Sequence, residues 1–379
     1  MNKSHISSLQ KKDCCGCGAC GYICPVHAIS FQADEEGFLF PLVDEDKCIH
    51  CGKCLHVCAW QGKAHLPLYS VKAQFAARLK DPLLRMKSRS GGVFVALTDI
   101  ILARGGIVFG AVMDSSFRVY HTAASSASAR DAMRGSKYVQ SDSTSIWPLV
   151  EKSLLSGQPV LFSGTPCQVA AAASLFPSKQ YPQLYLCDFL CHGVPSPGLW
   201  KEYLCWAQKH YKQNLCCVEF RDKEKYPWSA HVEKLIFLHK TIYSRRYTNL
   251  FYANQILRES CYCCPYTNPQ RCSDFTLADY WGIEKVAPKL NDEKGISLVL
   301  LRTDRAKVLF QECSNLLEYV DTSSNPPEHY SLKRPTQCPA DREHFWQDYK
   351  RYGFEYVSKK YGRYDLLHRL KYKLIDHWE

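Results

Sequence analysis

Two four-cysteine runs of identical spacing open the chain: Cys14-x2-Cys17-x2-Cys20-x3-Cys24-Pro25 and Cys48-x2-Cys51-x2-Cys54-x3-Cys58. The repeat leaves few folds open. Three thiolates separated by two residues wrap a tight loop around three irons of one cube. The fourth enters a helix and points to the other cube. The pattern therefore predicts one [4Fe–4S] cluster on Cys14, Cys17, Cys20 and Cys58, and a second on Cys48, Cys51, Cys54 and Cys24. Gly16, Gly18 and Gly52 relieve crowding where backbone N–H groups approach the cluster sulfurs. Pro25 closes the first run, whereas Ala59 stands at that place in the second. Zinc ribbons pair Cys-x2-Cys knuckles and do not repeat a four-cysteine run. Cys15 is spare to this scheme and is expected to be a bystander.

The chain has 379 residues and 21 cysteines, too long for a small ferredoxin and pointing to two or three domains. No apolar run of about eighteen residues occurs, so no transmembrane segment is expected. The N-terminal MNKSHISSLQKKDCC has no apolar secretory core. A cytoplasmic location is expected, where a reducing environment keeps cysteines as thiols for iron. The formal net charge of +11 counts thiols as neutral. Three clusters, each carrying roughly two negative charges with its thiolates, remove about six units. The remaining excess is no nucleic-acid footprint, and no nucleic-acid partner is expected.

After the cysteine module (1–65), residues 66–89 read as a linker containing the basic segment Lys80 to Arg89. Beyond Ser90, apolar strands alternate with helical patterns. Helices are expected at Val93–Ala103, closed by Gly105-Gly106, and at Trp147–Leu155, Gln168–Leu175 and Leu199–Tyr211. Strands are expected at Ile107–Val112, Pro159–Phe162, Leu184–Leu190, Cys217–Arg221, Leu235–Leu238, Phe275–Asp279 and Leu298–Arg302. This alternation predicts an α/β core with a mixed sheet behind the ferredoxin-like module. Residues 326–379 read as a helical, aromatic and basic C-terminal segment. Tyr349 to Tyr364 and Leu366 to Trp378 are expected to pack their aromatics on the body, in preference to meeting an acidic partner or a membrane surface.

Past residue 85 the sequence resembles the β-subunit family of coenzyme F-420 hydrogenases and dehydrogenases. The stretches that carry the resemblance are Ser90-Gly91-Gly92, Gly135-Ser136-Lys137-Tyr138-Val139, Gly164-Thr165-Pro166-Cys167-Gln168, Cys191-His192-Gly193-Val194-Pro195, Ser260-Cys261-Tyr262-Cys263-Cys264-Pro265 and Asp279-Tyr280-Trp281-Gly282. The resemblance implies an FAD and iron–sulfur domain over 90–325. Relatives act on a deazaflavin or on chlorophyll intermediates, and the substrate does not transfer with the likeness.

Ser90-Gly91-Gly92 opens a predicted helix whose N-terminus favours a phosphate. With the resemblance, Ser90, Gly91, Gly92, Lys137, Gly164 and Thr165 are the candidate FAD-binding residues. Lys137 also reads as a solvated loop lysine. Pro166 fits the first turn of a helix, which puts Cys167 at a helix N-terminus where a thiolate is stabilised. Cys167 reads either as a redox-active nucleophile or as a cluster ligand. Four cysteines from three loops, Cys167, Cys191, Cys261 and Cys264, form the candidate third [4Fe–4S] site at the strand ends. Cys187, Cys263 and Cys272 are nearby alternatives. Cys205, Cys216, Cys217, Cys313 and Cys338 are expected as small apolar fillers. His192 and Asp279 are the candidate catalytic residues. A structural histidine and a turn-forming aspartate explain them equally well.

These readings describe an iron–sulfur flavoprotein oxidoreductase that exchanges electrons with a redox partner protein, such as a ferredoxin or reductase, and with a small-molecule acceptor. The alternative is an electron-transfer subunit that feeds a separate catalytic partner.

Overall fold

A computed structural model of the chain describes residues 5–61, 64 and 66–363. Thirteen strands occur among them: β1 Ile29–Ala33, β2 Leu39–Val43, β3 Ala73–Leu79, β4 Ile107–Met113, β5 Val119–Ala124, β6 Val160–Gly164, β7 Leu184–Phe189, β8 Leu215–Glu219, β9 Glu233–Phe237, β10 Thr241–Ser244, β11 Phe275–Asp279, β12 Ser297–Leu301 and β13 Leu317–Asp321. The fold is a mixed α/β body behind a small ferredoxin-like module, with a helical C-terminal segment.

The body is built on one eight-stranded sheet in the order β13-β3-β12-β11-β7-β6-β4-β5. Its middle, β4, β6, β7 and β11, is parallel. The strands outside it pair antiparallel. All five residues of β12, Ser-Leu-Val-Leu-Leu, are buried, as a strand covered on both faces requires. A three-stranded meander, β10-β9-β8, and a β1-β2 hairpin in the module complete the strands.

The helix signals lie in single residues. Gly92, in the left-handed conformation, opens the helix Val93–Ala103. Pro166 stands in the first turn of Pro166–Leu175. There the Gln168 side-chain oxygen accepts from the Thr165 backbone N–H at 3.1 Å, tying the first turn together.

The expected linker over 66–89 is corrected by the structure. β3 lies inside the large sheet, hydrogen-bonded to β12 on one side and β13 on the other. The basic stretch contains a short helix, Pro82–Met86, capped by the Asp81 carboxylate, which accepts from the Leu83 and Leu84 N–H groups. Ala-Gln-Phe-Ala-Ala-Arg-Leu hides this strand because it has no β-branched residue and no alternation. The expected strand Cys217–Arg221 begins two residues earlier, at Leu215. Cys216 and Cys217, on the outer strand of the meander, and Cys338 are exposed, so the filler role expected for them is withdrawn; Cys313 is buried.

The C-terminal helix Arg342–Lys360, broken at Gly353, buries Phe345, Trp346, Phe354 and Val357 against the helix Pro197–Tyr211 and the meander. Leu366 to Trp378 lie outside the described residues. Among the described residues no helix is long and apolar enough to cross a membrane.

Candidate metal centres

The module's two halves cross. Cys24 lines one pocket together with Cys48, Cys51 and Cys54. Cys14, Cys17, Cys20 and Cys58 form the other group, close enough that Cys14 and Cys17 penalise ionisation of both Cys20 and Cys58. Cys51 is exposed, whereas Cys54 is buried. Ala28 N–H donates to the Cys24 sulfur at 3.3 Å.

The body grips the first loop by its carbonyls. Ser143 Oγ (3.1 Å) and Trp147 Nε1 (3.0 Å) donate to Cys17 O. Gln140 Nε2 donates to Cys15 O at 2.8 Å, and Arg258 Nε donates to Cys14 O at 2.7 Å. The approach is tight. A Cβ on Gly16, where φ is +72°, would stand 2.9 Å from both Arg258 Nη1 and Gln140 Nε2. The positive φ favours glycine there, and a side chain would also push aside the ends of the two side chains that clamp the loop.

A second pocket gathers cysteines from distant parts of the chain. Cys167 follows β6 and Cys191 follows β7, both at the carboxyl ends of parallel strands, and Cys261 and Cys264 come from the turn after Arg258. All four line one pocket with Cys15, Trp60, His192, Arg258, Tyr266 and Arg271. The alternatives lie elsewhere. Cys187 is buried in a separate apolar cluster; Cys272 is buried in the cluster that Cys167 and Cys264 pack against but does not line the pocket; and Cys263 is exposed, its thiol donating to Lys12 O at 3.4 Å. Val194 N–H donates to the Cys261 sulfur at 3.4 Å.

Cys15 lies between the two thiol sets. It is buried, and although it belongs to the first cysteine run it lines the pocket shared by Cys167, Cys191, Cys261 and Cys264. Neighbouring Cys15 is the main influence drawing the Cys167 thiol down, and Thr165 and the Gln168 N–H add to it. Burial pushes Cys191, Cys261 and Cys264 up. Such a set favours a cationic core that deprotonates coordinating thiols outright. Among the described residues no three His, Cys, Asp or Glu side chains converge closely enough to share a single metal ion; ligands of a cube bind separate irons.

The other expected residues separate into two places. Gly164 and Thr165 belong to the Cys167 turn, where Thr165 Oγ1 lies 3.1 Å from the Cys167 sulfur. Ser90, Gly91 and Gly92 directly follow Arg89 in a cluster of buried cations around Asp279, the cationic basin, and Lys137 reaches the backbone of Arg134 in that cluster. Gly91 packs against strands: a Cβ there would stand 2.2 Å from Ala77 O and 2.7 Å from Ser297 N. Ser90 Oγ donates to Ile296 O at 2.6 Å. Lys137 Nζ donates to Ala132 O and Arg134 O at 2.9 and 3.0 Å, and burial lowers its pKa to about 7. Asp279 Oδ2 accepts from Arg89 (2.8 Å) and Arg221 (2.9 Å). Burial pushes its carboxyl up while Arg89 pulls it down.

Each arginine of the basin pairs with a carboxylate, Arg85 with Asp292, Arg89 and Arg221 with Asp279 and Arg134 with Asp131, yet keeps nitrogens to spare. Among the described residues Arg85 Nε and Nη1, Arg89 Nε, Arg134 Nε, Arg221 Nε and His231 Nε2 are buried without a hydrogen-bond partner. Burial and then Arg89 hold Lys223 down to about 8 and His231 down to about 3. Trp228 and Trp281 stack at one side, 5.1 Å between centroids.

His192 stands between pocket and basin. Its Nε2–H donates to Asn254 Oδ1 at 2.6 Å, and its Nδ1 accepts from the Tyr330 hydroxyl. Both ring nitrogens are thus engaged by the protein, and burial lowers the pKa. Cys15, Arg258 and the basin arginines carry no motif, so spacing could not single them out.

Residues 13–61 match the 4Fe-4S dicluster domain, and residues 157–324 match the family described as the C terminus of the beta subunit of coenzyme F420 hydrogenase/dehydrogenase. The chain joins a [4Fe–4S] dicluster domain to the C-terminal domain of that β-subunit family. The dicluster domain makes it an iron–sulfur electron-transfer protein, and the β-subunit domain belongs to an oxidoreductase family. A chain from the F420-reducing [NiFe] hydrogenase complex of Methanosarcina barkeri superposes with a TM-score of 0.48 at 16% identity, over 78% of this chain and 91% of that one. No curated protein matches the chain. The β-subunit domain match begins at Gly157, just ahead of β6 and Cys167, and includes Cys191, Cys261, Cys264 and Asp279.

Proposed function

We propose that the chain is an iron–sulfur flavoprotein oxidoreductase with three thiolate sets in series and an FAD in the cationic basin. The observation that carries this reading is Cys15, a module residue that lines the same pocket as Cys167, Cys191, Cys261 and Cys264. It makes the third cysteine pocket continuous with the first set. Clusters carry one electron each, and a flavin pairs two for an organic acceptor.

The chain's own residues divide the work. Cys51, exposed, marks the face where a redox partner protein meets the module. The carbonyl clamps from Gln140, Ser143, Trp147 and Arg258 fix the spacing between the thiolate sets. Cys15, lining the pocket of Cys167, bridges module and body. The unpartnered guanidinium nitrogens of Arg85, Arg89, Arg134 and Arg221 suit a pyrophosphate, and the Trp228–Trp281 stack suits a flat ring. His192, with both nitrogens engaged, holds the wall between pocket and basin and fixes the side chains around it. The functional units proposed are 1–65 for the module and 90–325 for the FAD and iron–sulfur domain, with 73–79 assigned to the latter's sheet.

A second reading has one observation in its favour. Phe189, Tyr252, Trp281 and Tyr330 are exposed beside His192 and Asp279, an aromatic rim suited to a partner subunit that holds the substrate site. Anaerobic purification with iron, sulfide and flavin quantitation tests the proposal. About twelve irons and one FAD per chain are expected; about eight irons without flavin overturn it. Flavin reduced by ferredoxin, yet oxidised only when a partner subunit is added, selects the second reading.

A further inference from the structure

Arg258 is a buried cation without an acid. It is 1% exposed, and a guanidinium keeps its charge. Burying such a charge costs several kcal/mol unless an anion compensates. Among the described residues no carboxylate pairs with it. Its side-chain partners are neutral oxygens, Cys14 O at 2.7 Å, Leu39 O at 3.0 Å and Gln140 Oε1 at 3.1 Å, and one sulfur, Cys14 Sγ at 3.6 Å. The Phe40 ring lies beneath it at 4.1 Å.

The guanidinium also reaches the other thiol set. Arg258 lines the pocket of Cys167, Cys191, Cys261 and Cys264. Its backbone fixes it there: Arg258 N–H donates to Val194 O at 3.0 Å, and Arg258 O accepts from Cys261 N–H at 2.9 Å. One side chain therefore faces the first thiolate set of the module and the thiolate set of the body.

We propose that Arg258 is the shared counter-ion of these two sets, a positioning residue that raises the reduction potential of the clusters they hold and ties the two together. The inference rests on the three-cluster reading above. Cluster potentials follow net charge and hydrogen bonds to sulfur. A cation between two anionic groups makes adding an electron to either one easier, while a neutral side chain of similar length removes that aid.

The test is a redox titration of the anaerobically purified full chain, followed by electron paramagnetic resonance, for wild type, Arg258→Lys and Arg258→Met. Arg258→Met is expected to lose about tenfold in the reduction equilibrium of both clusters, about 59 mV for one electron. Arg258→Lys, which keeps the charge but loses the fork, is expected to stay near wild type. Unmoved potentials in Arg258→Met, or an equal fall in Arg258→Lys, overturn the proposal, the latter because geometry and not charge would then be responsible. If Arg258→Met does not retain iron, wild type with 15N-labelled arginine supplies the readout. A guanidinium hyperfine coupling on the reduced first cluster is expected, and its absence overturns the role. A wild-type count near eight irons sinks the three-cluster reading itself. A full count with unmoved potentials sinks only Arg258.

Discussion

Trp147, fully buried on the helix Trp147–Leu155, donates its indole N–H to the carbonyl of Cys17 at 3.0 Å. A core residue of the body thus holds the backbone of the first cluster loop. Trp147→Phe keeps most of the ring and removes that donor. Ser143 Oγ still serves the carbonyl, so the loss is about 1–2 kcal/mol. It is read as a lower denaturation midpoint of the iron-loaded chain, together with faster proteolysis between module and body.

Removing one thiol should separate the third set from its neighbours. Cys191→Ser is expected to lower bound iron by about four atoms per chain and leave the signals of the module clusters in place. Cys263→Ser, whose sulfur lies outside the pocket, should leave the count unchanged. Iron assays on anaerobically purified variants, paired with electron paramagnetic resonance, compare the two.

Gly91 and Gly135 look alike in sequence and differ in the fold. A Cβ on Gly91 would press on the Ala77 carbonyl, whereas nothing lies within 4 Å of one on Gly135. Gly91→Ala should therefore cost about 3 kcal/mol or more through displaced strands. Gly135→Ala, strained only by its φ of +75°, should cost about 1 kcal/mol. Thermal melts of the two variants give the contrast directly.

Acid should weaken the fold through His121. Its Nε2–H donates to Ser163 O at 3.0 Å, and its Nδ1 accepts from Ser141 Oγ at 2.8 Å. Burial lowers its pKa from 6.5 to about 4. The unfolded chain then takes up the proton first as pH falls. The contribution is complete above about pH 6.5 and is lost as pH falls through about 4. Its size is on the order of 3 kcal/mol. His121→Asn should show a shallower fall in urea midpoint across that window than the wild type.

Much of this fold could be read from periodicity and punctuation. Helices at Val93–Ala103 and Trp147–Leu155 begin and end where glycine and proline mark them, and Phe275–Asp279 is a strand as its apolar run predicts. β3 escaped because alanine and glutamine carry no strand signal, and its burial comes from neighbours more than two hundred residues away in sequence. The cysteine spacing could be read because a cube dictates it. Arg258 and Cys15 could not, since their meaning depends on which surfaces meet when the module docks. Gly91 has a structural reason to be glycine that could not be read in advance: a Cβ there would meet strand backbone, a requirement that looks the same in sequence as a phosphate cradle.

β3, held by hydrogen bonds along both edges between β12 and β13, enters the sheet directly after the cysteine module. A carrier on a loose tether would swing between donor and acceptor, and its transfer rate would depend on tether length and solvent viscosity. Here the chain is anchored within a dozen or so residues of Cys58. The module is mounted like a fixed contact, so transfer along the proposed route from Cys17 toward Cys167 should be insensitive to viscosity, and cutting the covalent connection should leave the two halves together.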